Sequence, residues 1–191
     1  MTDEGLLDAW RGGDRVAGDE LLRRHFDSLL RFFRSKVGDD VEDLLQQTLL
    51  DCVESKAQIA AGGFRGYMFG VARHRLFDHL RAKYRRPGTV DIGEQSVADL
   101  GTTPSGHLAR GQRQALVHQA LRMISVDHQI ALELTYWEGL SGAEVAVVLD
   151  VAEPTVRSRL ARARDALRAR LAELTTAADA DAMLAEFGRA P

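Results

Sequence analysis

The stretch Ser141–Arg164, SGAEVAVVLDVAEPTVRSRLARAR, narrows the possible folds more than any other segment of the chain. It reads as two short helices joined by a tight turn. Ser141 can cap the first, and Glu144 stands three residues on, the S-x-x-E pattern that satisfies two orphan helix donors reciprocally. Val145, Ala146 and Leu149 give that helix an apolar face. Asp150 tolerates the left-handed backbone that a turn needs. Pro154 suits the first position of a new helix, where its missing N–H costs nothing. In the second helix Val156, Leu160, Ala163, Leu167 and Leu171 recur at three- and four-residue steps and share one face. The opposite face carries Arg157, Ser158, Arg159, Arg162 and Arg164. From Arg157 to Arg170 there are six arginines and one acid, Asp165, a local charge of +5 in a chain of net charge −3. A capped helix, a turn and a basic second helix make a helix-turn-helix. Its second helix can enter the major groove of DNA, where arginine reads guanine edges or grips phosphates.

The remaining periodicity is helical, with no strand pattern and no internal repeat. Leu6–Trp10 reads as a short helix stopped by Gly12-Gly13. Asp14 can cap a helix running to about Val37, with Leu22, Phe26, Leu29, Phe33 and Val37 as its core stripe. After the break at Gly38-Asp39-Asp40, a helix from about Val41 turns Leu44, Leu45, Thr48, Leu49, Cys52 and Val53 inward. Glu42, Asp43, Gln46, Gln47 and Asp51 are left outside. A loop of small residues, Ala60–Gly63, precedes a helix from about Arg65 to Tyr84 with Met68, Phe69, Ala72, Leu76 and Leu80 inward, ended by Pro87-Gly88. Residues 89–107 form a linker. It contains Gly, Pro and three acids (Asp91, Glu94, Asp99), and its weak apolar pattern argues against a packed core. Helices resume over Leu108–Met123 and Val126–Trp137 and lead into the helix-turn-helix. In the tail Met183, Leu184 and Phe187 could build a short docking helix, but a frayed end is the expectation. The expected fold is all-α: two small helical domains, residues 1–88 and 108–172, joined by a flexible linker (89–107) and followed by a tail (173–191).

Apolar content is 45% and charged content 28%, ordinary for a soluble globular protein of 191 residues. No run approaches the ~18 apolar residues that would suggest a membrane span. The acidic start, MTDEGLLDAW, lacks the basic and apolar regions of a signal peptide. Cys52, the single cysteine, can form neither an internal disulfide nor a metal cage. These features fit a cytoplasmic protein. The net charge conceals segregation. Asp39–Glu54 holds six acids and no base, whereas Phe64–Arg86 holds seven Lys or Arg and one acid, Asp78. Such a chain is expected to meet nucleic acid on one side and a basic or mixed protein surface on another.

Within the second basic segment Arg73, Arg75, Arg81, Lys83, Arg85 and Arg86 alternate with Phe64, Tyr67, Phe77 and Tyr84. Basic side chains can follow a phosphate backbone while aromatic faces stack on unpaired bases, a mixture suited to single-stranded or opening DNA. Core packing is the alternative role for Phe64, Phe69 and Phe77. His74, Asp78 and His79 fall short of a closed metal site, and no second cluster has ligand spacing. No nucleophile arrangement and no phosphate-cradling glycine loop is present. The reading is therefore of a protein with no catalytic residues, no metal and no cofactor.

Three motifs, LLRRHFDSLLRFFRSKVGDDVEDLLQQTLL, FRGYMFGVARHRLFDHLR and YWEGLSGAEVAVVLDVAEPTVRSRLARARDAL, taken in this order and spacing, resemble the extracytoplasmic-function subfamily of bacterial RNA polymerase sigma factors, of the sigma-70 family. The resemblance runs from about Asp19 to Leu171. It implies a dissociable initiation subunit that binds core RNA polymerase at its clamp helices and flap, directs it to specific promoters and helps open the DNA. By position, Asp43, Leu44, Gln46 and Gln47 match the motif that docks on the clamp helices. The segment Lys56–Gly63, with Lys56 and Gln58, matches the loop that captures a flipped base. Phe64, Arg65, Tyr67, Arg73, His74 and Arg81 match the helix that reads and melts the −10 element. Glu153, Thr155, Arg157, Ser158, Arg159 and Arg162 match the −35 recognition helix. The linker matches the segment that threads polymerase toward its active-site and RNA-exit channels. The resemblance further implies an anti-sigma factor that masks both DNA-binding domains, and no insertion into a membrane.

The chain departs from the family pattern at several positions. Gln47 stands where the family usually has Glu, His74 where it has Asn, and Ile124-Ser125 where it favours Leu-Pro. Asp150 and Pro154 replace glycines, which alters the turn chemistry. A different reading, an ordinary helix-turn-helix repressor or activator, explains the C-terminal half equally well. It leaves the acidic third helix and the aromatic-basic fourth helix without a role. A helical nucleic-acid enzyme would require a catalytic cluster that the sequence lacks.

Overall fold

The computed structural model describes residues 1–60, 63–83, 91–100 and 111–188. The described residues form nine α-helices: α1 (Asp3–Arg11), α2 (Arg15–Arg34), α3 (Val41–Glu54), α4 (Phe64–Lys83), α5 (Gln112–Arg122), α6 (Val126–Tyr136), α7 (Gly142–Leu149), α8 (Glu153–Leu174) and α9 (Ala177–Phe187). Short 3-10 turns lie at Lys56–Gln58 and Ile92–Glu94. Tyr84, Arg85, Arg86, Pro87-Gly88, Leu108 and the outer parts of the linker, together with two residues of the Ala60–Gly63 loop, fall outside the described residues.

The local signals place most helix ends. The Asp14 carboxylate accepts from the N–H groups of Val16 and Ala17 to start α2. Ser141 and Glu144 form the full capping box of α7, and Asp150 closes that helix at φ 53° in the left-handed region. Pro154 sits in the first turn of α8. Two further caps come from hydroxyls: Ser125 starts α6 and Thr176 starts α9.

Packing produces a larger and a smaller core. The larger runs without a break from Leu7, Leu21, Phe33, Met68 and Phe69 of the N-terminal helices to Ile130, Leu134, Val145 and Leu149 of α6 and α7. It is continuous because α4 lies along α7 and shares its apolar surface with both halves of the chain. The smaller core joins α5, α6, α8 and α9 through Val117, Leu121, Leu132, Leu167, Leu171, Met183 and Phe187.

Several buried positions differ from the sequence expectation. On α2 the inward aromatics are Phe32 and Phe33, whereas Phe26 is 39% exposed; Phe32 packs against the Phe69 ring of α4, 5.7 Å between centroids. Val53, expected inward on α3, is exposed, as is Leu50. Part of the linker packs: Ile92, Val97 and Leu100 are buried. Its backbone is tied down where Val126 N–H donates to the Gln95 carbonyl and Ala98 N–H to the Arg122 carbonyl. The tail does not fray from Glu173 onward. Instead α9 docks through Ala180, Met183 and Phe187, with the Phe187 ring 5.4 Å from both Tyr136 and Trp137. Arg168 clamps Asp181 at 2.6 and 2.9 Å along its rim.

Two consequences are measurable. Phe187→Ala removes a buried ring with two aromatic neighbours and is expected to lower stability by about 3 kcal/mol, as read from urea unfolding. Cys52 has no exposed surface, and burial pushes its thiol up to about 12. A thiol-specific reagent at neutral pH should label the native chain at a negligible rate and the denatured chain promptly.

Candidate nucleic-acid and polymerase interface

α8 presents the basic row that the helix-turn-helix pattern implies. Val156, Ala163, Leu167 and Leu171 anchor it in the protein, while Arg157, Ser158, Arg162 and Arg164 are exposed. Glu153 is exposed in the first turn, and Thr155 is half-buried. The Ser158 hydroxyl donates to the Thr155 carbonyl at 2.9 Å, and Arg162 Nε reaches the Ser158 carbonyl at 3.3 Å. Arg157 and Arg162 therefore stand free of any carboxylate partner within the described structure, on a helix rigidly held from behind.

Arg159, counted in the same row, is directed elsewhere. It is half-buried and donates to Asp127 Oδ2 at 3.2 Å. The other oxygen of that carboxylate accepts from Arg73 of α4 at 2.9 Å. One side chain of α6 thus ties the α4 helix to the α8 helix. A Cβ on Gly93 of the linker would lie 2.8 Å from Asp127 Oδ2, so the linker backbone lies close over this carboxylate and a side chain there would push it aside. Asp91, Gly93, Ser125, Asp127, Arg159 and Arg162 line a polar cleft of about 360 Å³ here. His128 borders it, and burial, with Arg159 and Arg162 beside it, holds its imidazole below the usual histidine range.

The α4 residues divide into three groups. Phe64 is buried at 2% exposure against the His25 ring, so in this arrangement it is a core residue and not a free stacking platform. Phe77 is also buried, under the Arg73 guanidinium 4.4 Å from its ring centroid. Arg65 donates to the Glu138 carbonyl and, like Tyr67, is half-buried. His74 and Arg81 are exposed, with Arg81 3.3 Å from Asp78. Arg75 is held by Asp51 of α3 through two bonds of 2.7 Å, which raises its affinity for the proton. At the adjacent turn Lys56 is half-buried over the Trp10 ring, and Gln58 is exposed.

On α3 the sequence-predicted docking residues separate by face. Asp43 and Gln46 are exposed, and Gln47 donates to Asp43 at 2.8 Å. Leu44, which the resemblance places in the docking motif and the periodicity places inward, is 3% exposed and belongs to the core that α3 shares with α2 and α4. The apolar part of this surface is instead Leu50 and Val53, 53% and 41% exposed, one and two turns beyond Gln46. Their exposure is legible only once the helix phase is known.

The residues that sequence reasoning missed are the charges between the two halves. Lys36, after α2, has no exposed surface and pairs with Glu133 of α6. Its ammonium also donates to the Phe32 carbonyl and the Ser35 hydroxyl, both at 2.9 Å. Burial holds its proton affinity below that of an ordinary lysine even with the carboxylate beside it. Gln129 steadies the other Glu133 oxygen at 2.8 Å, and Arg31 meets Glu138 at 2.9 Å. No local sequence signal marks pairs separated by about a hundred residues. Among the described residues no group of His, Cys, Asp and Glu is arranged to hold a metal ion, and no helix is long and apolar enough to cross a membrane.

Comparison with known proteins places this geometry. Residues 107–167 match the family described as Sigma-70, region 4. The chain is 33% identical over 183 residues to the ECF RNA polymerase sigma factor SigM of Mycobacterium tuberculosis, covering 92% of this chain and 87% of that protein. It is 30% identical over 182 residues to the RNA polymerase sigma-H factor of Pseudomonas aeruginosa, covering 86% and 91% respectively. In fold it is similar to CnrH, solved in complex with the cytosolic domain of CnrY, at a TM-score of 0.66 and 24% identity over 91% of this chain and 99% of that one. It is also similar to the sigma factor RpoE of Bartonella quintana, solved with the anti-sigma factor NepR, at a TM-score of 0.62 and 22% identity over 80% and 95%. The chain belongs to the extracytoplasmic-function family of RNA polymerase sigma factors, the alternative sigma subunits that direct polymerase to promoters.

Proposed function

We propose a division of labour along this chain. α3 docks on core RNA polymerase through Asp43, Gln46 and Gln47, with Leu50 and Val53 supplying the apolar contact. The Lys56–Gly63 segment and α4 engage the −10 region through Lys56, Gln58, Arg65, Tyr67, Arg73, His74 and Arg81. α8 reads the −35 element through Arg157, Ser158 and Arg162, flanked by Glu153, Thr155 and Arg159. The working units are residues 1–88 and 108–172, with the linker between them following polymerase. The protein does no chemistry of its own and acts in the cytoplasm, where polymerase and promoter are. Its partners are core polymerase, promoter DNA and an anti-sigma factor. The observation that supports this reading most is the exposed Arg157–Arg162 row on a helix fixed by a capped turn.

Run-off transcription from a promoter library, with core polymerase in the presence and absence of the chain, tests the proposal. Specific transcripts are expected only with the chain. Arg157→Ala and Arg162→Ala should each weaken promoter binding by about 1–3 kcal/mol and flatten its dependence on salt. Asp43→Ala should instead raise the concentration of chain needed to saturate polymerase. Equal losses of promoter binding by all three variants would contradict the division of labour. Footprints on duplex DNA without polymerase, and no transcripts, would favour an autonomous helix-turn-helix regulator.

A further inference from the structure

α5 and α9 both lie on α8, with little direct packing between them among the described residues, and the gap is a cavity of about 560 Å³. That volume is in the range that holds a small organic ligand. Its walls are Val117 of α5, Met183 and Phe187 of α9, and Trp137, which follows α6. Trp137 is half-buried, and its ring stands 5.4 Å from Phe187 and 5.0 Å from His118. The α9 wall lies beyond residues 107–167, the segment matched to region 4, so the cavity is an addition to that unit. The mouth is charged. Arg113 of α5 spans it, 3.0 Å from Glu186 and 3.7 Å from Asp179 of α9. All three side chains are about half exposed, so this strap is weak and can part. α9 carries three acids and no base. One guanidinium faces two of its carboxylates here, which leaves the mouth net negative. Burial holds the His118 imidazole below the usual histidine range, so it adds little positive charge at neutral pH.

We propose that this cavity binds a small, flat aromatic cation, its rings between Trp137 and Phe187 and its charge beside Glu186. An indole face is the aromatic surface that best holds a cation, and the Met183 thioether adapts to ring edges. A carboxylate ligand would instead meet Glu186 and Asp179, and would have to take Arg113 from both. Because α9 rests on the apolar core that also holds α8, a ligand here braces α8 on its buried side. The site needs neither polymerase nor DNA, so it stands or falls apart from the division of labour above.

The test titrates the full chain with three matched probes: naphthylmethylammonium, its neutral analogue naphthylmethanol, and the anion naphthoate. The chain has two tryptophans, and Trp10 is buried under α2 by α1, away from this cavity. The two indole N–H signals of an NMR spectrum therefore give a site signal and a control, assigned with Trp10→Phe. The ammonium probe is expected to shift the Trp137 signal saturably, leave Trp10 unmoved, and bind roughly fivefold tighter than the alcohol. Naphthoate should bind weakest. Glu186→Gln should bring the ammonium and alcohol affinities together. Gln114→Trp, at an exposed position on the rim, fills the cavity from outside and should abolish binding without lowering the melting temperature. A Trp137 signal that no probe moves, or equal shifts of both tryptophans, overturns the site. So does undiminished binding in Gln114→Trp. Tightest binding of naphthoate, or an ammonium preference that survives Glu186→Gln, overturns the charge assigned to the ligand.

Discussion

A lysine ammonium with no exposed surface is tolerable only beside a carboxylate, and here that carboxylate lies ninety-seven residues further along the chain. The Lys36–Glu133 pair sets the terms for the rest of the structure. Taking two ions out of water costs several kcal/mol per ion after relaxation, and the attraction between them returns this only with good geometry and further hydrogen bonds. Phe32, Ser35 and Gln129 supply those bonds. Removing either ion alone leaves the other stranded, whereas parting the halves returns both to water. The pair therefore contributes little net stability but strongly specifies this arrangement, since other ways of setting the end of α2 against α6 would strand a charge.

The apolar surface supplies what the ions do not. α4 is the element common to both halves. Its buried residues, Phe64, Met68, Phe69, Ala72, Leu76, Phe77 and Leu80, do not fall on one stripe, because α3 flanks the helix on one side and α7 on another. A helix covered from two directions loses the simple amphipathic pattern expected of a surface helix. This explains why the sequence shows α4 as aromatics interleaved with bases, and why Phe64 and Phe77 could be read either as stacking platforms or as core. The exposed His74 and Arg81 lie on the remaining sector.

What was legible in the sequence is what short-range physics decides. The capping box at Ser141, the left-handed turn at Asp150, the early Pro154 and the inward face of α8 follow from residues within a few positions of each other, and each stands as read. The errors come where a distant element decides. Phe26 and Phe32 are both plausible inward residues of α2 until α4 is known to set the Phe69 ring against Phe32. Val53, read as inward with Leu44, is exposed because the phase of α3 against its neighbours buries Leu44, Leu45, Thr48 and Cys52 instead. In the linker, Ile92, Val97 and Leu100 are too few and too irregular to show a period, yet they bury because α5 and α6 offer backbone partners at Arg122 and Val126. The alanine-rich α9 has weak hydrophobic content of its own and is held by the aromatic pair of Tyr136 and Trp137 that receives Phe187.

These two scales of information meet at Asp127. Its position in the first turn of α6 is locally sensible, since an acid there complements the helix dipole and adds a few tenths of a kcal/mol up to about 1. Nothing local requires it to face two arginines from helices far away in sequence. Arg157 and Arg162 are exposed on the outer part of α8, while Arg73 and Arg159 are paired with Asp127. Half-buried ion pairs are each worth only a modest amount after solvent screening. The packing of the two halves consequently rests less on the Arg73–Asp127 pair than on the α4–α7 apolar surface, with the buried Lys36–Glu133 contact fixing which surfaces meet. The exposed acidic and apolar face of α3, with Asp43, Gln46, Leu50 and Val53, takes no part in these contacts.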